Sequence, residues 1–128
     1  MGTYFNDSEL PALVSLVTKL KPANYTYQQK IAILQILDLI IYSDDEADNK
    51  ELKFLEVIIQ NLELEVEILE IAINSDIHNS LNQLKLMTPL QKEIFKQLLL
   101  KMVLIDGVVA TQESLILSKV FESLGIKL

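Results

Sequence analysis

One pattern occurs twice in this chain, at a fixed distance of 62 positions. Each copy consists of an apolar stretch, an acidic loop and a second, amphipathic stretch. The shift superposes acidic on acidic and apolar on apolar positions: Asp44 on Asp106, Glu51 on Glu113, Leu55 on Leu117, Ile58 on Val120, Leu62 on Leu124 and Leu64 on Ile126. Each copy therefore predicts a helix–acidic loop–helix unit, and the duplication predicts an all-α bundle of pseudo-two-fold symmetry.

The chain is predicted to form a single domain over residues 1–128, because this length is typical of one domain. It has no cysteine, which excludes disulfides and thiolate sites. The longest apolar run, over residues 31–41, is about half of the ~20 residues that a membrane-spanning helix needs. The N-terminus resembles no signal peptide. We therefore expect a cytoplasmic protein without direct membrane insertion.

Six to seven helices are expected from hydrophobic periodicity and capping signals. The helix from about residue 27 to 43, with Thr26 as its N-cap, is apolar on nearly its whole circumference, which is typical of a central, buried helix. Further helices are predicted over about 8–19, 49–62, 65–74, 76–84, 89–105 and 111–124. A break is expected over residues 21–24 because of Pro22, and a turn is expected around Glu63.

Two helix starts and one helix end have specific capping signals. Thr88 with Pro89 and Gln91 has the composition of a capping box, and Asp48 with Glu51 resembles a second one. Gly107 is expected to end the helix over 89–105 in a left-handed conformation, and the last helix is expected to end at Leu124-Gly125. Residues 62–68 alternate apolar and acidic side chains, a strand signal, but we expect a turn at Glu63 and a helix from about Glu65 because a lone strand would have no partner.

The acidic residues are concentrated in one third of the chain. The formal net charge is −7, and residues 44–76 carry eleven acidic side chains against Lys50 and Lys53. The chain contains no arginine, so it lacks the bidentate groups that bind phosphate. This field would repel nucleic acid, which excludes a nucleic-acid partner, and it would favour a cation or the basic surface of a protein partner.

The second copy of the pattern resembles a known family. Asp106-Gly107-Val108-Val109 with Glu113 is similar to the Asp-Gly-x-hydrophobic…Glu signature of TerB-like domains, which typically carry it twice. The family is named for tellurite resistance, and a related module occurs in a DnaJ-type co-chaperone. The resemblance implies an all-helical domain with acidic residues at paired loops, a divalent metal and a stress-response role. Asp45 departs from the pattern, because the family usually has glycine there.

A divalent cation such as Ca²⁺, Mg²⁺ or Mn²⁺ would need several oxygen ligands from the two loops. The candidate ligands are Asp44, Asp48, Glu51, Asp106 and Glu113, with Asp45 and Glu46 as secondary acidic residues. An EF-hand is excluded because apolar or aromatic residues occupy its first ligand positions: Ile40, Tyr42, Met102 and Leu104. The alternative is purely structural, with Asp48 and Glu51 capping a helix and Asp44 and Asp106 closing turns.

The residue types argue against an enzyme. The single histidine, His78, is expected at the surface, and no nucleophile turn or phosphate-binding glycine loop is present. Asp38 is expected at a polar seam or rim of the bundle, with a lysine or tyrosine partner. The leading hypothesis is a non-catalytic stress-response module that binds a divalent cation at the paired loops. The alternative is a metal-independent protein–protein interaction domain that uses acidic segment 56–76, and a homodimer is also compatible with the apolar content.

Overall fold

The computed structural model describes residues 10–42, 49–104 and 111–125. Within these ranges the chain forms eight helices and no strand. They are α1 (Leu10–Val17), α2 (Leu20–Ala23), α3 (Tyr27–Ile41), α4 (Asn49–Asn61), α5 (Ile68–Ile73), α6 (Ile77–Lys85), α7 (Pro89–Leu104) and α8 (Thr111–Leu124). Since α2 is a single turn, seven helices of six or more residues remain. The prediction of an all-α bundle is confirmed.

Helix α3 is the centre of the bundle. It packs against α4, α5, α6, α7 and α8. Its side chains are buried on most of the circumference, including Ile33, Leu34, Leu37 and Ile40. This arrangement confirms the expectation from its apolar sequence, because a helix without a polar face is stable in water only when neighbours cover it on all sides. No helix of the described ranges combines the length and apolarity that crossing a membrane requires.

The repeat is visible in the helices as well as in the sequence. Helices α3 and α7 begin 62 positions apart, and so do α4 and α8. Thr26 accepts the backbone N–H of Gln29 at 3.1 Å, and the side chain of Gln29 accepts the N–H of Thr26 at 2.9 Å. Thr88 and Gln91 form the same capping box at the same two distances.

The ends of α4 and α8 also correspond. Glu63, two residues after α4, has φ 61°, and Gly125, directly after α8, has φ 72°, so both residues adopt the left-handed conformation. Behind α4 the N–H of Leu64 bonds to the carbonyl of Ile59 at 3.1 Å, and the N–H of Glu63 bonds to that of Gln60 at 3.0 Å. These two bonds are a Schellman motif, which confirms the predicted turn at Glu63.

Two helix predictions need correction. Residues 21–24 were expected to break the chain, but Pro22 lies within the single turn of α2, where its missing N–H costs no helical hydrogen bond. Asn24, with φ 57°, ends this turn. The helix expected over residues 65–74 is shorter and spans Ile68–Ile73. Residues 64–67 are non-helical because the Schellman motif ends α4 and changes the direction of the chain.

A buried polar link joins the N-terminal ends of α3 and α7. The hydroxyl of Tyr25 donates to the carbonyl of Gln91 at 2.7 Å, and burial raises the pKa of this hydroxyl. The side-chain amide of Gln91 donates to the carbonyls of Ala23 at 2.9 Å and Asn24 at 3.3 Å. The link places the starts of the two repeats side by side. Each acidic loop therefore follows the far end of its helix.

Candidate functional site

The first acidic loop lies between α3 and α4, and the second lies between α7 and α8. Of the predicted ligands, Asp44, Asp45, Glu46, Asp48 and Asp106 lie outside the described residues. Glu113 is the third residue of α8, as Glu51 is of α4. The side chain of Glu113 is outside the description as well. The structure thus describes the helices that carry both loops and one of the predicted ligand side chains, Glu51.

Glu51 is buried in the first turn of α4, with 2% of its surface exposed. A carboxylate at a helix N-terminus is stabilised by the helix dipole and by N–H groups that have no helical acceptor. Taking a charged carboxylate out of water is costly, so a buried one needs compensating hydrogen bonds or positive charge. Both a capping residue and a cation ligand satisfy this condition. The buried position of Glu51 is therefore compatible with both readings of the loop.

The described side chains do not form a complete metal site by themselves. Among them, no group of three or more His, Asp or Glu residues is placed to hold a metal ion. His78 is exposed at the start of α6, and its backbone N–H donates to the N-cap side chain of Asp76 at 3.1 Å. The expected surface position of His78 is thereby confirmed. The predicted cation site therefore depends on loop carboxylates that lie outside the described residues.

Asp38 lies on the rim of the bundle, as expected, in the last turns of α3. Its side chain is half-buried, and desolvation by burial raises the pKa of the carboxyl. The expected lysine or tyrosine partner is not found among the described residues. The backbone carbonyl of Asp38 accepts the N–H of Tyr42 at 3.1 Å, which is an ordinary helical bond. Asp38 is thus a carboxyl group held in a partly apolar environment without a compensating charge from the described part of the chain.

Segment 56–76 is an acidic surface. Its six acidic side chains are all exposed: Glu56, Glu63, Glu65, Glu67, Glu70 and Asp76. Two of them lie beside lysines, with Lys53 3.3 Å from Glu56 and Lys21 3.6 Å from Glu63. No lysine or arginine occurs anywhere from residue 54 to residue 84. The segment therefore presents negative charge to solvent over its whole length.

Buried glutamines are the main polar residues that the sequence analysis missed. Gln29 completes the capping box of α3. Gln35 donates to the carbonyl of Ser75 at 2.7 Å and accepts the hydroxyl of Ser80, which ties α3 to the start of α6. The repeat contained the signal for Gln29, because it lies 62 positions before Gln91. Nothing comparable marked Gln35, whose partners are about forty residues away along the chain.

Comparison with known proteins adds no functional assignment. No family model matches the chain, and no curated protein or solved structure is significantly similar to it. The resemblance to TerB-like domains therefore remains an interpretation of the two acidic motifs and their spacing.

Proposed function

We propose that this protein is a non-catalytic, TerB-like binding domain that holds a divalent cation between its two acidic loops, in a stress-response setting. The repeat is the observation that carries the proposal. It extends beyond the acidic motifs to the helix starts, the two capping boxes and the two left-handed helix ends. Each loop thus connects equivalent helices. The stress-response setting is taken from the family resemblance.

The chemistry of the loops supports a hard cation. Ca²⁺, Mg²⁺ and Mn²⁺ prefer carboxylate and carbonyl oxygens, and the ligands proposed here are all carboxylates. They are Asp44, Asp48, Glu51, Asp106 and Glu113, with Asp45 and Glu46 beside them. Carboxylates gathered at one place repel each other unless a counter-ion binds or some of them take up protons. The buried Glu51 would be the ligand held most rigidly, because α4 fixes it against the bundle.

Thermal melting of the chelator-treated protein tests this proposal. Ca²⁺, Mg²⁺, Mn²⁺ and Zn²⁺ are added separately. A bound cation at about 100 times its Kd adds ~2.7 kcal/mol to the free energy of unfolding, which raises Tm by about 10 °C for a domain of this size. The shift should disappear in the double variant Asp44→Asn with Asp106→Asn.

The matched control is Glu56→Gln with Glu93→Gln, which removes two exposed charges outside the loops. This control should keep the full shift. A melting temperature that responds to none of the four cations contradicts the proposal. Equal loss of the shift in both double variants would also contradict it, because the effect would then report net charge.

A second candidate function is favoured by the exposure of segment 56–76. In this alternative the protein is a metal-independent interaction domain that binds a basic protein partner through its acidic residues. Reversing the charge of Glu63, Glu65, Glu67 and Glu70 should abolish binding of such a partner, whereas Asp44→Asn with Asp106→Asn should leave it intact. The opposite pattern contradicts this alternative. The two functions are therefore separated by one pair of variants.

A further inference from the structure

The acidic side chains of segment 56–76 fall into two groups. Three of them already have a polar partner nearby. Glu56 lies 3.3 Å from Lys53, Glu63 lies 3.6 Å from Lys21, and Asp76 caps α6 by accepting a backbone N–H at 3.1 Å. The remaining three, Glu65, Glu67 and Glu70, form no ion pair with any residue that the structure describes.

These three glutamates alternate with exposed aliphatic side chains. Val66 is 59% exposed, and Ile71 and Ile73 are each 52% exposed. Single exposed aliphatic residues are common on protein surfaces. Here, however, six exposed residues occur within nine positions, and they are divided equally between acidic and β-branched aliphatic types. We call this set the acidic face: Glu65, Val66, Glu67, Glu70, Ile71 and Ile73.

The opposite side of the same segment is fixed to the bundle. Ile68 and Ala72 are buried, and Leu69 is partly buried against the core. They hold α5 against α3, the central helix. The carbonyl of Ser75, just after α5, accepts the side chain of Gln35 at 2.7 Å. Glu70, Ile71 and Ile73 are therefore carried by a helix that binding need not reorganise, which lowers the entropic cost of association.

We propose that the acidic face binds a basic amphipathic segment of a partner protein. Aliphatic side chains of that segment would cover Val66, Ile71 and Ile73, and its lysine or arginine side chains would lie against the glutamates. Charge complementarity favours this occupant, because the stretch from residue 54 to 84 contains no cation of its own. The inference rests on the second candidate function and narrows its surface from six acidic residues to three.

The test uses a defined probe, an 18-residue synthetic peptide of leucine and lysine at helical spacing. Its binding to the full chain is measured by calorimetry and mapped by amide chemical shifts. We expect the largest shift changes within residues 64–74 and weaker binding as salt increases. Glu67→Lys with Glu70→Lys should weaken binding more than tenfold. Ile71→Ser with Ile73→Ser should weaken it by a similar factor, since the aliphatic contacts are equally part of the face.

Matched controls separate this face from general charge and apolarity. Glu93→Lys with Glu122→Lys makes the same change in net charge at exposed positions on α7 and α8, and Leu86→Ser with Leu115→Ser removes exposed leucines elsewhere. Both controls should bind the peptide within about twofold of the unchanged protein. Circular dichroism of every variant should match that of the unchanged protein, because all of the substituted side chains are exposed.

Three outcomes would overturn the inference. Equal weakening in the charge controls would show that only net charge matters. Shift changes around Glu56 and Glu63 instead would leave the second candidate function standing but place its surface elsewhere. Sedimentation showing a dimer that Glu67→Lys with Glu70→Lys dissociates would identify a second copy as the occupant. In that case the acidic face of one copy would contact a groove between α1 and α7 of the other copy. This groove has a volume of about 400 Å³ and is lined by Lys19 and Lys101.

Discussion

Helices α3 and α7 are equivalent members of the repeat, yet they are buried very differently. At one pair of equivalent positions α3 has Leu34, which is 0% exposed, whereas α7 has the half-buried Lys96. One turn earlier, α3 has the buried Ile31 and α7 has the exposed Glu93. The capping boxes that begin the two helices are nevertheless the same. The two copies thus have the same local structure at their helix starts, while the burial of equivalent side chains differs.

The cause lies in the segment between the copies. Helices α5 and α6 follow the first unit and pack against α3. The bonds of Gln35 to Ser75 and Ser80 place them on the side of α3 that carries Gln35. Ile31, one turn earlier, lies on the same side of the helix. Apolar residues are favourable on a covered side. The equivalent side of α7 keeps contact with solvent and tolerates charge. The repeated unit thus determines where the helices begin and end, while α5 and α6 determine which copy is buried in the core.

The largest expected difference in the free energy of unfolding is between alanine substitutions at the equivalent positions Leu34 and Lys96. Leu34→Ala should lower the free energy of unfolding by about 2–5 kcal/mol, because it leaves a cavity in a fully buried site. Lys96→Ala should change it by no more than about 0.5 kcal/mol, as is usual for substitutions outside the core. Urea unfolding measures both. Similar losses in the two variants would show that α7 is as deeply buried as α3.

The next effect distinguishes the two capping glutamines. Gln29→Ala should cost about 1 kcal/mol, the usual value of a lost cap. Gln91→Ala should cost about 2–3 kcal/mol, since its buried side chain also bonds to the carbonyls of Ala23 and Asn24, which would lose their partner. Urea unfolding of both variants gives the difference. Equal costs would mean that the bonds from the Gln91 side chain to Ala23 and Asn24 add no stability beyond the cap.

Smaller changes in stability, of opposite sign, are expected for substitutions at the two left-handed helix ends, Gly125 and Glu63. Gly125→Ala should destabilise the protein by about 1 kcal/mol, because a side chain disfavours positive φ. No heavy atom lies within 4 Å of the added Cβ, so the cost is conformational. Glu63→Gly should stabilise it by up to about 1 kcal/mol, since the exposed pair with Lys21 contributes little. Tm values of both variants provide the check, and a loss of stability in Glu63→Gly contradicts it.

The smallest effect concerns Asp38, whose equivalent in α7 is Leu100. Burial raises the pKa of Asp38 in the folded protein, so the folded state binds the proton more tightly than the unfolded chain does. Stability therefore falls as pH rises from the unfolded pKa of about 3.9 through the raised folded pKa. Asp38→Asn should raise Tm at pH 7, and the gain should vanish below pH ~3.5. A gain that is independent of pH would show that charge burial is not the cause.

The sequence predicted the elements whose signals are local. The capping box at Thr88, the end of the last helix at Leu124-Gly125 and the apolar circumference of α3 were each read from adjacent residues, and all three are confirmed. The left-handed cap predicted at Gly107 lies outside the described residues. The one-turn helix α2 was missed because Pro22 is a breaker in general but is acceptable in a first turn. The start of α5 was placed too early because alternating Glu and aliphatic residues fit a helix and a turn equally well.

For the candidate site as well, the sequence predicted the positions of residues along the helices but not their exposure. The repeat and the acidic spacing identified Glu51 and its equivalent Glu113 from the sequence, and their third positions in α4 and α8 follow from the helix starts. The sequence could not indicate that Glu51 would be buried while Glu65, Glu67 and Glu70 would be exposed. Each of the four glutamates has an aliphatic neighbour in the sequence, and its exposure depends on which helices cover it.

The sequence by itself determined most of the helices, the capping boxes and the duplication, because these depend on interactions within a few residues along the chain. Only the tertiary structure decided that α5 and α6 pack against α3, that Gln91 joins the two copies and that the acidic face, on α5 and the residues just before it, remains uncovered. These outcomes depend on contacts between residues 40 to 70 positions apart, for which no local pattern carries a signal. The physical reason is that burial is a property of the assembled helices, whereas helix formation is largely a property of each segment.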